Sequence, residues 1–141
     1  LNANFLELEL TESLVMDNME KSLLMLRVLK SMGIKISIDD FGTGYSSLSS
    51  LKKLPVDSLK IDQSFIRNIN HTNKALDDGA IITAIIALAK QLKFKVIAEG
   101  VETEAQFNFL HEEGCDLIQG YLFGKNLPED EFTALLIENR K

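Results

Sequence analysis

The sequence predicts an α/β protein with a parallel β-sheet. Segments with the alternation of a strand and segments with the spacing of a helix follow one another five times in 141 residues, which is the order of repeated βα units. Several of the predicted strands end in a polar or charged residue. The carboxyl ends of parallel strands share one edge, where both doubly wound sheets and (β/α)8 barrels carry their chemistry. These observations indicate a functional edge and leave both architectures open.

The first half of the chain contains two predicted strands separated by a helix. Within a predicted strand over residues 5–10, apolar Leu6, Leu8 and Leu10 alternate strictly with acidic Glu7 and Glu9. Isoleucines alternate with polar residues over residues 34–39, as in half-buried strands. Leucines recur at helical spacing between residues 23 and 29, and Gly33 supplies a helix stop. These features predict the first βα unit and the strand that opens the second.

The second half repeats this pattern with short strands and one long helix. Proline cannot continue a helix and glycine often ends one, so Pro55, Gly114 and Pro128 mark helix boundaries. The predicted elements are, in order, a helix over 47–53, a strand over 58–62, a polar loop over 68–73, a helix over 78–92, a strand over 95–99, a helix over 103–110, a strand over 116–120 and a last helix after Pro128.

The composition is that of one globular domain in a reducing compartment. A net charge of −6 gives no general attraction to nucleic acid or to an anionic membrane, so neither is expected as a partner. An anionic substrate would need a bound cation or a local basic group. Cys115 is the only cysteine, which excludes an intrachain disulfide. No apolar run approaches the roughly 20 residues of a membrane span, and we expect the chain to act in the cytoplasm.

Carboxylates stand at three predicted strand ends, and a loop with two glycines follows the adjacent pair Asp39 and Asp40. Adjacent residues on a strand point to opposite faces, so both can face one site only if the strand ends or twists there. Oxygen ligands suit Mg²⁺, Mn²⁺ or Ca²⁺ rather than zinc. The sequence therefore predicts a cation site, and the alternative is a solvated acidic turn. The candidate ligands are Glu9, Asp39, Asp40 and Glu99.

Four further polar residues accompany these carboxylates. Lys60 lies on the third strand between two apolar residues, where a lysine surrounded by acids could orient or deprotonate a water molecule. Glu12 could support the site or cap a helix. Glu102 could join the site or serve as an acid in the first turn of a helix. Gln119 is polar in an apolar strand, which by itself is a weak signal of function.

Five short motifs follow one another along the chain: Glu9-Leu10-Thr11-Glu12, Asp39-Asp40-Phe41-Gly42-Thr43-Gly44-Tyr45-Ser46-Ser47-Leu48, Leu59-Lys60-Ile61-Asp62, Ala98-Glu99-Gly100-Val101-Glu102 and Gln119-Gly120-Tyr121. Their content and order resemble those of the EAL domain, the family of bacterial cyclic di-GMP phosphodiesterases. The likeness extends over essentially the whole chain. It implies a TIM-type (β/α)8 barrel that hydrolyses cyclic di-GMP to linear 5′-pGpG with two Mg²⁺ or Mn²⁺ ions.

The resemblance assigns the four carboxylates at the strand ends to the metal site. By motif position, Glu9, Asp39, Asp40 and Glu99 resemble metal ligands of the family. It further implies that Asp39 bridges the two ions. These assignments are expectations that the resemblance adds to the pattern of acidic strand ends.

The resemblance also assigns roles to the other polar residues. Lys60 resembles the residue that holds or deprotonates the attacking water, and Glu102 resembles its supporting partner. Gln119 is similar to the residue that helps to place water or substrate. The loop over residues 40–47 resembles one that couples the metal site to a homodimer interface, with Glu12 as its anchor.

Two features of the family are absent from the sequence. The Glu-Ala-Leu tripeptide and an asparagine ligand belong to strands ahead of Leu1, and Asn126 stands where the family often has proline. We therefore expect residues 1–141 to form the C-terminal part of a single EAL domain, with about five of the eight βα units of a barrel. The expected function is hydrolysis of cyclic di-GMP by the intact domain, and the isolated chain is expected to be inactive. The alternatives to this function are a catalytically inactive EAL fragment and a non-catalytic receptor or scaffold for cyclic di-GMP.

Overall fold

The computed structural model describes residues 2–44, 47–69 and 78–139. Within them, five strands form one parallel sheet, and helices connect the strands along the chain. The strands are β1 (Glu7–Thr11), β2 (Lys35–Phe41), β3 (Ser58–Ile61), β4 (Lys95–Ala98) and β5 (Leu117–Ile118). After a 3₁₀ turn at Ala3–Phe5, the helices are α1 (Glu12–Asp17), α2 (Met19–Ser31), α3 (Leu48–Leu51), α4 (Gln63–Arg67), α5 (Asp78–Leu92), α6 (Glu104–Glu113) and α7 (Glu129–Glu138).

The order of the strands distinguishes a barrel from a doubly wound sheet. The sheet runs β1-β2-β3-β4-β5, so each strand pairs in parallel with the next strand in the sequence. A doubly wound sheet reverses its order at a switch point, whereas a (β/α)8 barrel keeps the order of the chain. The predicted α/β fold of the TIM type, with five βα units in this chain, is therefore confirmed.

The two faces of the sheet differ in polarity. Ile36, Ile38 and Leu59 on the outer face are fully buried against the helices, and each such side chain stabilises the fold by about 1.5–3 kcal/mol. On the opposite face, the register pairs polar residues, as between Glu9 and Ser37. Because side chains alternate along a strand, this polar face continues to the carboxyl ends of the strands.

An irregularity at the carboxyl end of β2 brings both adjacent aspartates to the functional edge. The register of β2 with β3 shifts between Ile38 and Phe41, and Asp40 has a left-handed φ of 54°, which only aspartate, asparagine and glycine adopt at modest cost. The Asp39 carboxylate accepts a hydrogen bond from the Asp40 N–H at 3.0 Å. Strand β2 is therefore irregular at Asp39 and Asp40. Such an irregularity is what two adjacent residues need if both are to face one site.

Two short helices lie in stretches to which the sequence analysis assigns no helix or strand. Helix α1 begins at Glu12 directly after β1, and α4 follows β3 with its N-terminus capped by the Asp62 carboxylate, which accepts from Ser64 N–H at 2.9 Å. Helices of six and five residues have less than two turns of periodicity to reveal them. The predicted strand boundaries agree with the structure to within two residues. Residues 70–73 of the predicted polar loop lie outside the described residues.

None of the helices in the described part of the chain combines the length and the apolar character that crossing a bilayer requires.

Asp57 joins α2 to the sheet. Its carboxylate accepts two hydrogen bonds from the Lys30 ammonium, at 2.6 and 2.7 Å, and one from the Ile36 N–H at 2.8 Å. The Asp57 N–H in turn donates to the Ile36 carbonyl at 2.8 Å. Asp57 thus pairs with the N–H and the carbonyl of Ile36, near the start of β2, and holds α2 against the sheet through Lys30.

We predict that Asp57→Ala lowers the free energy of unfolding by about 1–3 kcal/mol, because the buried Ile36 N–H and the Lys30 ammonium lose a charged acceptor. Denaturation in urea, followed by circular dichroism, measures this loss. The control is Asp17→Ala, at an exposed position of α1, which should change the free energy by less than about 0.5 kcal/mol. Equal stability of the two variants would contradict the role of Asp57.

Candidate active site

One polar residue from each strand lies at the carboxyl edge of the sheet. Three of these residues are on the strands themselves, and two directly follow β4 and β5. All of them are among the candidate residues predicted from the sequence. In strand order they are Glu9, Asp39, Lys60, Glu99 and Gln119.

The Lys60 ammonium is the centre of this group. Its Nζ atom lies 2.7 Å from Glu9 Oε1 and 2.6 Å from Glu99 Oε1. The Asp39 Oδ1 atom is 3.6 Å away. Lys60 is only 3% exposed, so these carboxylates replace the water that would otherwise solvate its charge. Strands β1, β2, β3 and β4 are thereby joined by one cation.

The carboxylates also determine the protonation of this lysine. Burial disfavours the charged form of Lys60, but the hydrogen bonds to Glu9 and Glu99 and the charges of Glu99 and Asp39 outweigh burial and raise the pKa of the ammonium. In this arrangement Lys60 is therefore charged at neutral pH. It is a donor of hydrogen bonds and a compact positive charge.

Gln119 extends the cluster to the fifth strand. Its Nε2 atom donates a hydrogen bond to Glu99 Oε1 at 2.7 Å, the same oxygen that contacts Lys60. Two donors from neighbouring strands thus fix one carboxylate oxygen of Glu99.

Asp40 lies next to Asp62, a residue to which the sequence analysis assigns no role of its own. Burial, followed by the charges of Asp39 and Asp62, raises the pKa of the Asp40 carboxyl. Burial acts on Asp62 as well, but hydrogen bonds from Ser64 and Asp40 outweigh it and lower the pKa of Asp62. Asp40 is thus the member of the pair that takes up a proton more readily. Two carboxylates in contact form a second concentration of negative charge beside the Lys60 cluster.

Glu12 lies beneath the loop that follows Asp40. The Glu12 side chain is buried, with 3% of the residue exposed, and its Oε2 atom accepts from the Gly42 N–H at 3.1 Å. A side chain at Gly44 would come within 2.8 Å of the Glu12 carboxylate, so the loop approaches this residue closely. Residues 45 and 46 of the loop lie outside the described residues, and the role of Glu12 as a loop anchor stays a prediction.

A cleft of about 530 Å³ opens beside Glu99 and Gln119. Glu102 lies on its wall, on the turn after β4, whereas the contacts of the Lys60 ammonium are with other carboxylates. The wall also includes Gln63 and Arg67 of α4. The sequence analysis does not identify these two residues, because it assigns no element to residues 63–67, between the predicted strand over 58–62 and the predicted polar loop over 68–73. Two features of the sequence could have indicated this helix. Asp62 is a typical helix-capping residue, and Gln63 and Arg67 are four residues apart, which places them on one helical face.

The donor set at this edge fits a hard divalent cation. Within the described residues, no three carboxylate, histidine or cysteine side chains are already arranged around a common metal position, because Glu9, Asp39 and Glu99 turn towards the Lys60 ammonium. Four carboxylates, including Asp40, nevertheless stand against one ammonium, which leaves an excess of negative charge. Oxygen-only sites of this kind suit Mg²⁺ and Mn²⁺.

Comparison with known proteins places the chain in a family. The EAL domain pattern matches residues 1–126, and the chain belongs to the EAL domain family. A relative in Pseudomonas aeruginosa, the bifunctional diguanylate cyclase/cyclic di-GMP phosphodiesterase MucR, is 50% identical over 134 residues, which are 95% of this chain and 19% of MucR. The chain thus spans about one fifth of the length of that relative.

Two solved structures show the same fold. PaMucR phosphodiesterase in complex with c-di-GMP superimposes with a TM-score of 0.86 at 49% identity, covering 94% of this chain and 52% of that one. BlrP1 of Klebsiella pneumoniae, in a complex with manganese and cyclic di-GMP, gives a TM-score of 0.76 at 34% identity, covering 89% of this chain and 31% of that one. The fold and the family are therefore established together.

We predict that Lys60→Met lowers the free energy of unfolding at neutral pH by about 1–3 kcal/mol, because the partly exposed carboxylates of Glu9 and Glu99 lose a charged hydrogen-bond donor. The raised pKa of Lys60 means that the folded state favours the ammonium. This contribution is complete below the ordinary pKa of 10.5 and is lost as the pH rises through the raised value. The difference between wild type and variant should therefore be constant at neutral pH and shrink in strong alkali.

Urea denaturation in metal-free buffer, repeated across this pH range, measures the effect. Lys35→Met, at an exposed position of β2, is the matched control and should show little loss. A Lys60→Met variant as stable as wild type at neutral pH would mean that the ion pairs do not stabilise the fold.

Proposed function

We propose that the gene product carrying this chain hydrolyses one phosphodiester bond of cyclic di-GMP to give linear 5′-pGpG. The observation that carries the proposal is the convergence of three carboxylates on the buried Lys60 ammonium at the catalytic edge of an EAL-family sheet. The name of the relative MucR and the ligand in the PaMucR complex support this choice of substrate. Water adds to one phosphorus, the bond from that phosphorus to the 3′ oxygen breaks, and the released oxygen takes up a proton.

We propose that Glu9, Asp39, Asp40 and Glu99 hold two Mg²⁺ or Mn²⁺ ions, with Asp39 shared between them. The excess of carboxylates at this edge supports the proposal, as does the manganese of the BlrP1 complex. When bound, such cations neutralise the charge of the phosphodiester and lower the pKa of a coordinated water. For this chain's own residues, cation binding would separate the carboxylates from the Lys60 ammonium and leave its donors free for the reaction.

The roles of the other residues follow from their contacts. Lys60 is charged and rigidly placed, so it orients the attacking water and stabilises negative charge rather than acting as the initial base. Gln119 fixes Glu99 through its 2.7 Å hydrogen bond. Glu102 lies on the cleft wall, where its carboxylate would receive a proton or hold a water. Glu12 would set the position of the loop after Asp40 through Gly42.

The proposal extends to the context of the chain. We take residues 1–141 as the C-terminal part of one EAL domain, which agrees with their coverage of 52% of the PaMucR chain. We further propose that the domain acts in the cytoplasm and forms a homodimer through the loop after Asp40. The isolated chain would then have little activity, because the remaining strands complete the site.

We predict that Lys60→Ala in the gene product lowers kcat by about 10²–10⁴-fold, the usual contribution of a positioned proton-transfer or charge-stabilising group. The affinity for cyclic di-GMP should change much less, because the lysine acts on the water. Lys60→Arg should not restore kcat, since its planar fork has a different reach. Steady-state kinetics with Mn²⁺ and calorimetric binding measure the two quantities.

A receptor would give the opposite result in that experiment. Lys60 would then pair with a phosphate, so Lys60→Ala would weaken binding and Lys60→Arg would largely restore it. A wild-type gene product that binds cyclic di-GMP without hydrolysing it would favour the receptor and end the enzymatic proposal.

We predict that Asp40→Asn stabilises the fold at neutral pH without metal and lowers kcat by at least about 10–100-fold, the loss found even for residues that only support metal ligands. The raised pKa of Asp40 means that its ionisation costs stability above its ordinary pKa of 3.8. Asparagine removes this cost, keeps a donor for Asp62 and tolerates the left-handed φ of 54°. The gain should appear as the pH rises through the pKa of Asp40 and vanish in acid.

Urea denaturation with a chelator, at acidic and at neutral pH, measures this gain in stability. Steady-state kinetics in excess Mg²⁺ measures kcat. Asp116→Asn provides a control, because Asp116 accepts from Val96 N–H at 2.8 Å at the amino ends of β4 and β5, opposite the edge that carries Asp40. Near-normal turnover of Asp40→Asn would show that Asp40 is a loop residue and no ligand.

A further inference from the structure

The cleft beside Glu99 and Gln119 has a wall that the proposed chemistry does not use. Its volume of about 530 Å³ is within the range of small-molecule sites and accommodates one nucleotide unit beside the strand ends. Glu99 and Glu102 make one side acidic, and Arg67 is the one cation among the described residues that line the cleft. Tyr121 lines it as well and is 63% exposed. A positive group and an open aromatic ring thus belong to the same cavity.

Arg67 is held in a defined position although it is exposed. Its Nη2 atom donates to Gln63 Oε1 at 2.9 Å, one helical turn earlier on α4. Gln63 packs closely under the turn after β4, since a side chain at Gly100 would come within 2.8 Å of Gln63 Cβ. Gln63 therefore uses one donor of the guanidinium, and the planar fork has further donors for a ligand.

Helix α4 is itself fixed at both ends. The Asp62 carboxylate caps its first turn at Ser64 N–H. At the other end, the Ile66 carbonyl accepts from the Gln106 side chain at 3.1 Å. Gln106 is 8% exposed, and its Oε1 atom also accepts from Glu102 N–H at 2.9 Å. The two walls of the cleft are thus joined by one buried amide, which sets the distance between Arg67 and the Glu102 turn.

We propose that Arg67 is a specificity-determining residue that reads the guanine base of a bound guanine nucleotide. This inference rests on the proposed function, because the scissile phosphodiester must lie at Lys60. Arg67 lines the same cleft as Glu99, and the Glu99 carboxylate contacts the Lys60 ammonium. A nucleotide with its phosphate at Lys60 would therefore extend along this cleft towards Arg67. Guanine presents two acceptors, O6 and N7, which match the donors of arginine in a bidentate pair. Adenine presents a donor at the position of O6 and is therefore rejected.

Tyr121 completes this site as a platform for the base. Its ring is exposed, and the Lys125 ammonium lies 5.8 Å from the ring centroid on one side. A base stacked on the open side of the ring gains contact energy that does not depend on its identity. In this arrangement Tyr121 supplies affinity for any base, and Arg67 supplies the preference for guanine.

The test is calorimetric binding of cyclic di-GMP and of cyclic di-AMP to the gene product, with Ca²⁺ in place of Mg²⁺ and with hydrolysis recorded separately. Wild type should prefer the guanine ligand. In Arg67→Lys, which keeps the charge and loses the fork, the preference should fall by about ten- to hundredfold, the value of one bidentate base contact. Arg27→Lys, at an exposed position of α2, is the matched control and should leave the preference as in wild type.

Other outcomes overturn the inference. If Arg67→Lys keeps the wild-type preference, or if Arg67→Ala weakens both ligands equally, Arg67 contacts a phosphate or nothing, and the base is read elsewhere. A wild type without preference for guanine ends the inference as well. Binding without hydrolysis would refute the proposed enzymatic function alone, because the preference for guanine is measured independently of turnover.

Discussion

The arrangement of the site depends on one buried ammonium among carboxylates. Lys60 lies on the central strand of the five and contacts carboxylates from both sides, at 2.7 Å to Glu9 and 2.6 Å to Glu99. Without that charge the acidic residues of three strands, β1, β2 and β4, would repel one another. With it, they are drawn to a common point. The same concentration of negative charge is what a divalent cation requires, so the lysine keeps a cation site compact in the absence of the cation.

The alternation of the sequence was sufficient to predict a parallel α/β sheet and the polar residues at its edge. Strands with apolar outer positions, such as Ile36 and Ile38, follow the two-residue period closely, and their burial confirms the prediction. The acidic strand ends were visible because ionisable residues are rare where a strand should be apolar. The choice between a barrel and a doubly wound sheet required the motifs or the structure, since both folds have the same order of elements.

What the sequence could not reveal depends on short elements and on contacts between distant residues. Helix α4 has five residues, too few for a hydrophobic period, so the sequence assigned no element to Gln63 and Arg67. The pair of Asp40 and Asp62 depends on the register shift at the end of β2, which no local pattern encodes. Propensity describes single segments, whereas these features arise where two segments meet.

The polar groups at the edge follow one another in space in the order of the chain, because the sheet itself is sequential. This has a consequence for the way the domain forms. When β1 and β2 have paired but β3 has not, Glu9 and Asp39 lie on the same side of the sheet, two register positions apart, without the lysine between them. Their repulsion then opposes that pairing. Salt or a divalent cation would screen the repulsion, so the rate of refolding should depend on ions even where the final stability does not. The chemistry of the finished site is thus also an early electrostatic barrier on the folding pathway.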